Sequence, residues 1–464
     1  MDRKKIFILL PDGIGLRNFA YSNFNKIGVE EGFEVIYWNN TPFDLHALGF
    51  REIKIRNAKN HYFTDVLKRA RFQIDLNLNI IKFNDKVYDS YRSSNARDSF
   101  VNIVKFFCIK GLTLFFSSTK GVERIRKSMF SFEKKTKYFN ACLEVLKKEK
   151  PDFVFCTNQR ITLALAPMLA AEELKIPTGT FIFSWDNLPK ATLVLEPDFY
   201  FVWSMHMKKE LMSYYPFIKE NQIRVTGTPQ FEMHTDPGTI CSKAEFFTEH
   251  RLDQSKKYIC YSGDDITTSP NDPIYLEDTA KAVMALNTKG HQLGIIFRRC
   301  PVDFSNRYDG VLNKYKDIIV VIDPKWKKIG DAWNSVLPTK EDMFLQLNTI
   351  AHSEMVVNLG SSMVFDYAAF EKPCAYICYD IANSYEKKRS VEAIYDFVHF
   401  RSMPSKDAVL WINSPQAIAD IILRGIERPG EVVRHAQNWF EKINLHPTGQ
   451  ASTRILNQIG QIID

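Results

Sequence analysis

The chain has 464 residues, 45% hydrophobic and 25% charged, with a net charge of +7. This is the composition of a soluble globular protein, and the length exceeds one ordinary core, so two domains are expected. No apolar run approaches the ~18 residues of a membrane-spanning helix. The apolar stretch after MDRKK stops at Pro11, too short for a signal-peptide core. The eight cysteines form no C-x-x-C pair or secretory framework and read as reduced core thiols of a cytoplasmic protein.

Residues 4–11 read as a strand, 12–18 as a loop, the stretch to about 31 as a helix and 34–38 as a second strand, a Rossmann-like opening. The loop carries Gly13-Ile14-Gly15, which suggests a dinucleotide site. The third glycine is missing, Asn18 stands near its place, and the second strand ends in Trp38-Asn39-Asn40 with no acid for a ribose, so NAD is not expected. Residues 43–138 break the alternation and read as a helical insertion. Within 101–138, nine Lys or Arg face two Glu, an excess equal to the charge of the whole chain, and Phe106, Phe107, Phe115, Phe116, Phe130 and Phe132 are interleaved. Two readings stand: a surface for anionic lipid headgroups, or a buried helix with its charges outward. No nucleic-acid-binding motif accompanies the basic residues.

Strands at 153–157 and 178–183 flank a helix at 161–174. Ser184-Trp185-Asp186-Asn187 then sits past a strand's carboxyl end, where open α/β sheets bind ligands. Asp186 there could take a proton from a hydroxyl, with burial beside Trp185 raising its pKa; the alternative is that Asp186 and Asn187 only form a turn. Further strands are expected at 199–203 and 223–226, followed by Gly227-Thr228-Pro229-Gln230-Phe231. In the second half, strands at 257–262 and 293–297 end in Gly263-Asp264-Asp265 and in Arg298-Arg299-Cys300-Pro301, and 326–337 reads as a loop. The stretch 356–379, VVNLGSSMVFDYAAFEKPCAYICY, reads as strand, tight loop, helix and strand. Gly360 lets backbone approach an anion, Ser361 and Ser362 add hydroxyls, and the helix start offers N–H groups to a phosphate. Asp366, one turn on, could accept ribose hydroxyls; otherwise the serines cap the helix and Asp366 is an ordinary helix residue.

The G-S-S-x-x-x-D…K-P stretch resembles the donor-nucleotide motif of GT-B-fold glycosyltransferases, particularly bacterial surface-polysaccharide transferases and CDP-glycerol glycerophosphotransferases. PDFVFCTNQ, the S-W-D-N loop and V-T-G-T-P-Q-F resemble first-domain segments of the same enzymes, the last shared with 2-epimerases. The resemblance covers about 150–375. It implies an α/β GT-B fold: two Rossmann-like domains facing across a cleft, 1–232 with the insertion at about 43–138 and 233–440, and a C-terminal helix, 441–464, crossing back. It implies donor contacts from Thr228, Gly263, Arg298, Arg299, Gly360, Ser361, Ser362 and Asp366. It also implies acceptor contacts from Gly13, Arg17, Asn18, Trp185 and Asn187, with Asp186 as base. Relatives carry R-x-H-P where this chain has Cys300, so a histidine role there passes to an arginine. The expected activity is transfer of a sugar from a nucleotide sugar to a cell-surface glycan, such as an LPS O-antigen or capsule, whose acceptor is free or lipid-linked. No metal or other cofactor is expected, and the protein is placed in the cytoplasm or at the inner membrane face. Alternatives are a CDP-glycerol-type transferase, a nucleotide-sugar 2-epimerase, and a non-catalytic nucleotide-sugar binder.

Overall fold

The computed structural model describes residues 3–92, 98–328, 336–381 and 390–464. These form two units, one of residues 1–229 with 450–464 and one of residues 230–449.

The first unit is built on seven strands: β1 (Lys5–Leu10), β2 (Glu34–Asn39), β3 (Arg51–Lys54), β4 (Phe153–Cys156), β5 (Thr178–Phe181), β6 (Phe199–Val202) and β7 (Ile223–Val225). The sheet order is β3-β2-β1-β4-β5-β6-β7 and every pairing is parallel, with Ile6 opposite Val35 on one side and Phe153 on the other. Parallel sheets are covered on both faces, so their central strands are apolar throughout. Ile6 to Leu10 and Phe153 to Cys156 accordingly have no exposed surface. On one face Phe19, at the first turn after β1, packs edge-on against Phe24, Phe155 and Phe181. On the other, Phe7, Leu9 and Trp38 join Ile74, Ile125 and Met129 from the insertion helices. Each large apolar side chain so buried contributes about 1.5–3 kcal/mol.

The insertion begins later than the sequence suggests. Residues 51–54, expected inside it, form the edge strand β3, whose REIK sequence is too polar to read as a buried strand. Helices Thr64–Phe83, Phe100–Phe115 and Thr119–Glu133 follow, and Lys137–Glu149 leads into β4. The last three start at Ser99, Ser118 and Thr136, whose hydroxyls accept from the backbone N–H of Asn102, Gly121 and Phe139, the arrangement that satisfies otherwise unpaired helix donors. Of the two readings of 101–138, the buried helix with outward charges does not hold for Phe100–Phe115. Phe100, Val101, Val104, Phe107, Leu114 and Phe115 are exposed, and Ile109 is its buried residue.

The segment returning to the first unit is shorter than 441–464. The helix Gly430–Ile443 belongs to the second unit, and only Ala451–Ile463 packs on the first. There Ile455, Leu456 and Ile459 are fully buried, Leu456 lies over Gly28, and Arg454 Nε donates to the Thr226 carbonyl at 2.7 Å.

The second unit has the six-stranded order β10-β9-β8-β13-β14-β15, again parallel. The strands are β8 (Lys257–Ser262), β9 (Leu293–Arg298), β10 (Ile319–Val321), β13 (Val356–Asn358), β14 (Cys374–Ile377) and β15 (Leu410–Ile412). Between them β11 (Lys327–Lys328) and β12 (Val336–Leu337) form a small antiparallel ladder within the expected 326–337 loop, of which 329–335 lie outside the described residues. Four cysteines, including Cys374, are buried as expected of core thiols; Cys241, Cys300 and Cys378 are half-buried and Cys108 is exposed.

Gly15 has a local reason unrelated to nucleotides. A Cβ there would sit 2.3 Å from Thr157 Oγ1 and 2.8 Å from Leu10 Cδ2. The loop after β1 therefore lies directly on the end of β4. Gly15→Ala is expected to destabilise the protein by about 1–3 kcal/mol through overpacking, seen as a lower denaturant midpoint. Gly111→Ala, where a Cβ meets nothing within 4 Å, is the matched control and should not lose stability.

Candidate functional site

In both sheets the strand order reverses at the first strand, between β1 and β4 and between β8 and β13. Connections leave opposite faces of the sheet there, and a crevice opens at the carboxyl ends of the two strands. The residues at these two places are the candidate site, considered unit by unit.

In the first unit the reversal point holds a buried polar network. Asp12 follows β1; its Oδ2 accepts from Asn158 Nδ2 at 2.9 Å and its Oδ1 from the Ile14 N–H at 3.1 Å. Asn158 Oδ1 accepts in turn from the Arg160 N–H. Gln159 Nε2 donates to Asn187 Oδ1 at 3.0 Å, and Asn187 Nδ2 donates to Asp186 Oδ1 at 2.9 Å. Asp12, Asn158, Gln159 and Asn187 are all buried. Burial raises the Asp12 carboxyl to about 6, opposed by the Ile14 N–H, the Arg160 charge and Asn158. A carboxylate of that kind is largely ionised at neutral pH yet able to take a proton, as a general base requires.

Asp186, the base expected from the sequence, is engaged within its own loop. Its carboxylate accepts from Ser184 Oγ at 2.5 Å and from Asn187, and is ion-paired with Lys190. These donors tie Asp186 into its loop. Trp185 is buried, and Asn187 joins the network of Gln159. Of the other expected acceptor residues, Gly13 and Asn18 are buried, with the Gly13 carbonyl accepting from the Leu16 N–H and the Asn18 carbonyl from Ser22 Oγ, and Arg17 is half-buried. Thr228 is fully buried beside Gly227, whose φ of +79° turns the chain.

In the second unit the loop after β13 is Leu359 to Ser362. Gly360 has φ +66°, backbone that L side chains rarely adopt. The Ser361 N–H donates to Asn358 Oδ1 at 2.9 Å, Ser361 Oγ accepts from the Met363 N–H at 3.3 Å, and its carbonyl accepts from Tyr376. Ser362 is exposed and makes no capping bond. The helix Met363–Ala369 has only seven residues, so hydroxyls and loop backbone, more than a long helix dipole, are what this place offers an anion.

Asp366 lies on the helix that follows that loop. It is buried, and its Oδ1 lies 2.8 Å from His234 Nε2. His234 is wedged between Phe231 and Phe370. The pair fastens the turn Pro229–Thr235 to the helix. Arg298 is also engaged within the fold. It points inward at the end of β9, and its Nη2 donates to both oxygens of Asp342 at 2.7 and 2.8 Å. Asp342 also accepts from the Lys325 N–H and from Trp326 Nε1. Arg298 is thus neutralised and holds the helix Lys340–Ala351 to the sheet. Arg299 is turned outward, with Asp323 at 2.9 Å and the Ser305 carbonyl at 3.1 Å. The Cys300 thiol, pushed up to about 12 by burial, stands neutral.

A further cluster at the ends of β8 and β9 escaped the sequence reading. Asp272 accepts from Tyr308 at 2.7 Å and Ser269 at 3.0 Å, and Arg307 donates to Asp303, to the Ser269 carbonyl and to Tyr308. Gly263 is packed beneath them; a Cβ would lie 3.0 Å from Tyr308 Oη. Burial, then Asp272 and Asp265, drives the Asp264 carboxyl well up, and burial raises Asp272. The only sequence signal was their place just beyond strand ends. Among the described residues no group of three or more His, Cys, Asp or Glu is arranged to hold a metal.

Two parallel Rossmann-like sheets in one chain define a GT-B-like fold, and solved structures agree. The chain is similar to MnaA from S. aureus in complex with UDP, with 15% identity, 99% of this chain and 97% of that one covered, and a TM-score of 0.53. It is similar to a UDP-GlcNAc 2-epimerase from Methanocaldococcus jannaschii, with 13% identity, coverage of 98% and 99%, and a TM-score of 0.51. It is also similar to a glycosyltransferase from Rickettsia africae, with 11% identity, coverage of 99% and 100%, and a TM-score of 0.51. No family model and no curated protein sequence matches the chain.

Asp12 links the first reversal point to stability. Its folded value of about 6 exceeds the ordinary 3.8, so the folded state holds the proton more tightly. Stability therefore falls as pH rises from about 4 through about 6, by roughly 3 kcal/mol in total. Asp12→Asn removes this contribution. The gap in unfolding free energy between variant and wild type should shift in favour of the variant between pH 4 and pH 7.5, measured by denaturant titration. A gap that stays constant with pH would contradict the assignment.

Proposed function

We propose that the chain is a glycosyltransferase that moves a sugar from a nucleotide-sugar donor to a hydroxyl of a cell-surface glycan, of the O-antigen or capsule kind. What supports this reading is the chemistry held at the reversal point of each unit. One offers glycine and hydroxyls suited to a diphosphate, the other a buried carboxyl suited to a proton. In the proposed reaction the acceptor oxygen bonds to the anomeric carbon, the bond from that carbon to the diphosphate oxygen breaks, and the acceptor proton passes to Asp12. The nucleoside diphosphate leaves from the loop of Gly360, Ser361 and Ser362. Gly263 and Thr228 shape the neighbouring loops. Arg17, Asn18, Trp185 and Asn187 line the acceptor side in this proposal, with Gly13 leaving room and Asp186 fixing the S-W-D-N loop through Lys190. Solved structures of similar fold include one with UDP bound and one named a glycosyltransferase, which supports a nucleotide sugar as donor.

The first test is a thermal-shift panel of UDP-, GDP-, CDP-, CMP- and dTDP-sugars. A binder at about 100 Kd adds roughly 2.7 kcal/mol of stability. The binding donor is then incubated with and without glycan acceptors. A transferase consumes it only with acceptor, a 2-epimerase converts it alone, and a binding protein does neither. For the transferase, Asp12→Asn should lower kcat by about 10²–10⁴ with donor affinity unchanged, and should cost more than Asp186→Asn. Conversion of donor without acceptor, or a larger loss from Asp186→Asn, would overturn the respective part of the proposal.

A further inference from the structure

The insertion of the first unit carries a helix whose apolar face is turned to solvent. In Phe100–Phe115, Phe100 is 79% exposed, Phe107 64%, Leu114 69% and Phe115 89%, with Val101 at 61% and Val104 at 45%. Positions 100, 104, 107, 111 and 114 recur at three- and four-residue spacing, so they form one stripe along one side. The helix is seated through Ile109, with Leu112 and Phe116 partly buried against the core. An ordinary surface helix has its apolar stripe on the core side; this one shows apolar side chains to solvent along its length. Exposed apolar patches of this kind mark interaction surfaces.

The charges indicate what covers it. Lys110 lies between Phe107 and Leu114 at helical spacing and is exposed. The chain then turns over three residues into Thr119–Glu133, where Lys120 and Arg124, four apart on one side, are also exposed. A second copy docking on this face by twofold symmetry would bring these cations against their own counterparts. Anionic lipid would neutralise them while its acyl region takes up the aromatic side chains. Sixteen residues rise only about 24 Å, and no described helix is long and apolar enough to cross a membrane, so the helix would lie in the interface plane.

We propose that this face docks on a bilayer surface containing anionic lipid, with Phe100, Phe107, Leu114 and Phe115 entering the acyl boundary and Lys110, Lys120 and Arg124 meeting the phosphates. The proposal is independent of the catalytic reading, because it needs neither donor nor acceptor.

The test is sedimentation of the full chain with vesicles of phosphatidylcholine alone or with one quarter phosphatidylglycerol, at 0.1 M and 1 M NaCl, alongside analytical ultracentrifugation without lipid. Wild type should bind the anionic vesicles at least tenfold better than the neutral ones and lose most of that preference at 1 M salt, where the screening length is about 3 Å. Phe107→Gln/Phe115→Gln and Lys110→Glu/Lys120→Glu/Arg124→Glu should each reduce binding about tenfold or more. All five side chains are exposed, so both variants should unfold at the wild-type temperature. Failure of wild type to bind either vesicle, or equal binding by the variants, overturns the proposal. So does a dimer in ultracentrifugation that Phe107→Gln/Phe115→Gln converts to monomer, which would assign the face to a second copy.

Discussion

A parallel sheet cannot connect neighbouring strands by hairpins; each crossover passes over a face and, with rare exceptions, is right-handed. A sheet whose first strand is central must therefore wind outward in both directions, with its two sets of crossovers on opposite faces. Both sheets here begin in the middle, at β1 and at β8. At each, two adjacent strand ends diverge into different loops and leave a hollow ringed by backbone. Asp12 and Asn158 stand at one such place, Gly360 and Ser361 at the other. The first set is not assembled by local sequence, since 146 residues separate Asp12 from Asn158, whereas Gly360 and Ser361 are neighbours in the chain.

What the reversal points hold differs in electrostatic character. In the first unit Asp12 is buried with neutral amide donors, and desolvation outweighs Arg160 in setting its proton affinity. In the second unit the buried guanidinium of Arg298 is matched by Asp342, which also receives two N–H donors. Pairing with a carboxylate is what makes a buried arginine tolerable, and here the single nitrogen Nη2 reaches both carboxylate oxygens. Removing one member leaves the other charged and buried, so this pair is a structural fastening of a helix to the sheet. The His234–Asp366 contact does the same for the turn that opens the second unit.

Most strand positions were legible because buried parallel strands are short continuous apolar runs, as in 6–10 and 153–156. The strand β3 was not, since an edge strand with Arg51, Glu52 and Lys54 has no such run. Site residues were harder for three separate reasons. Asp366 lies on a helix at a spacing that looks suitable for a ligand, but spacing does not say which side of a short helix faces in, and His234 is 132 residues away. Successive residues of a strand point to opposite faces, so one of Arg298 and Arg299 must turn inward, yet that does not show that Asp342 waits there. Asp12 lies in Pro11-Asp12-Gly13, which reads as a turn, and its burial follows from Asn158 and Arg160 in a distant loop. The helix Phe100–Phe115 shows the same limit on a larger scale: periodicity defines an apolar stripe but not the direction in which tertiary packing turns it.

The central claim is that the loop after β13 receives the donor diphosphate. Hydrogen–deuterium exchange, with and without saturating nucleotide sugar, examines that loop directly. The account predicts that the amides of Gly360, Ser361 and Ser362 exchange more slowly when the donor is bound, while those of the inward-facing Arg298 region change little. Unchanged exchange in this loop, with protection confined to other strand ends of the second unit, would contradict it.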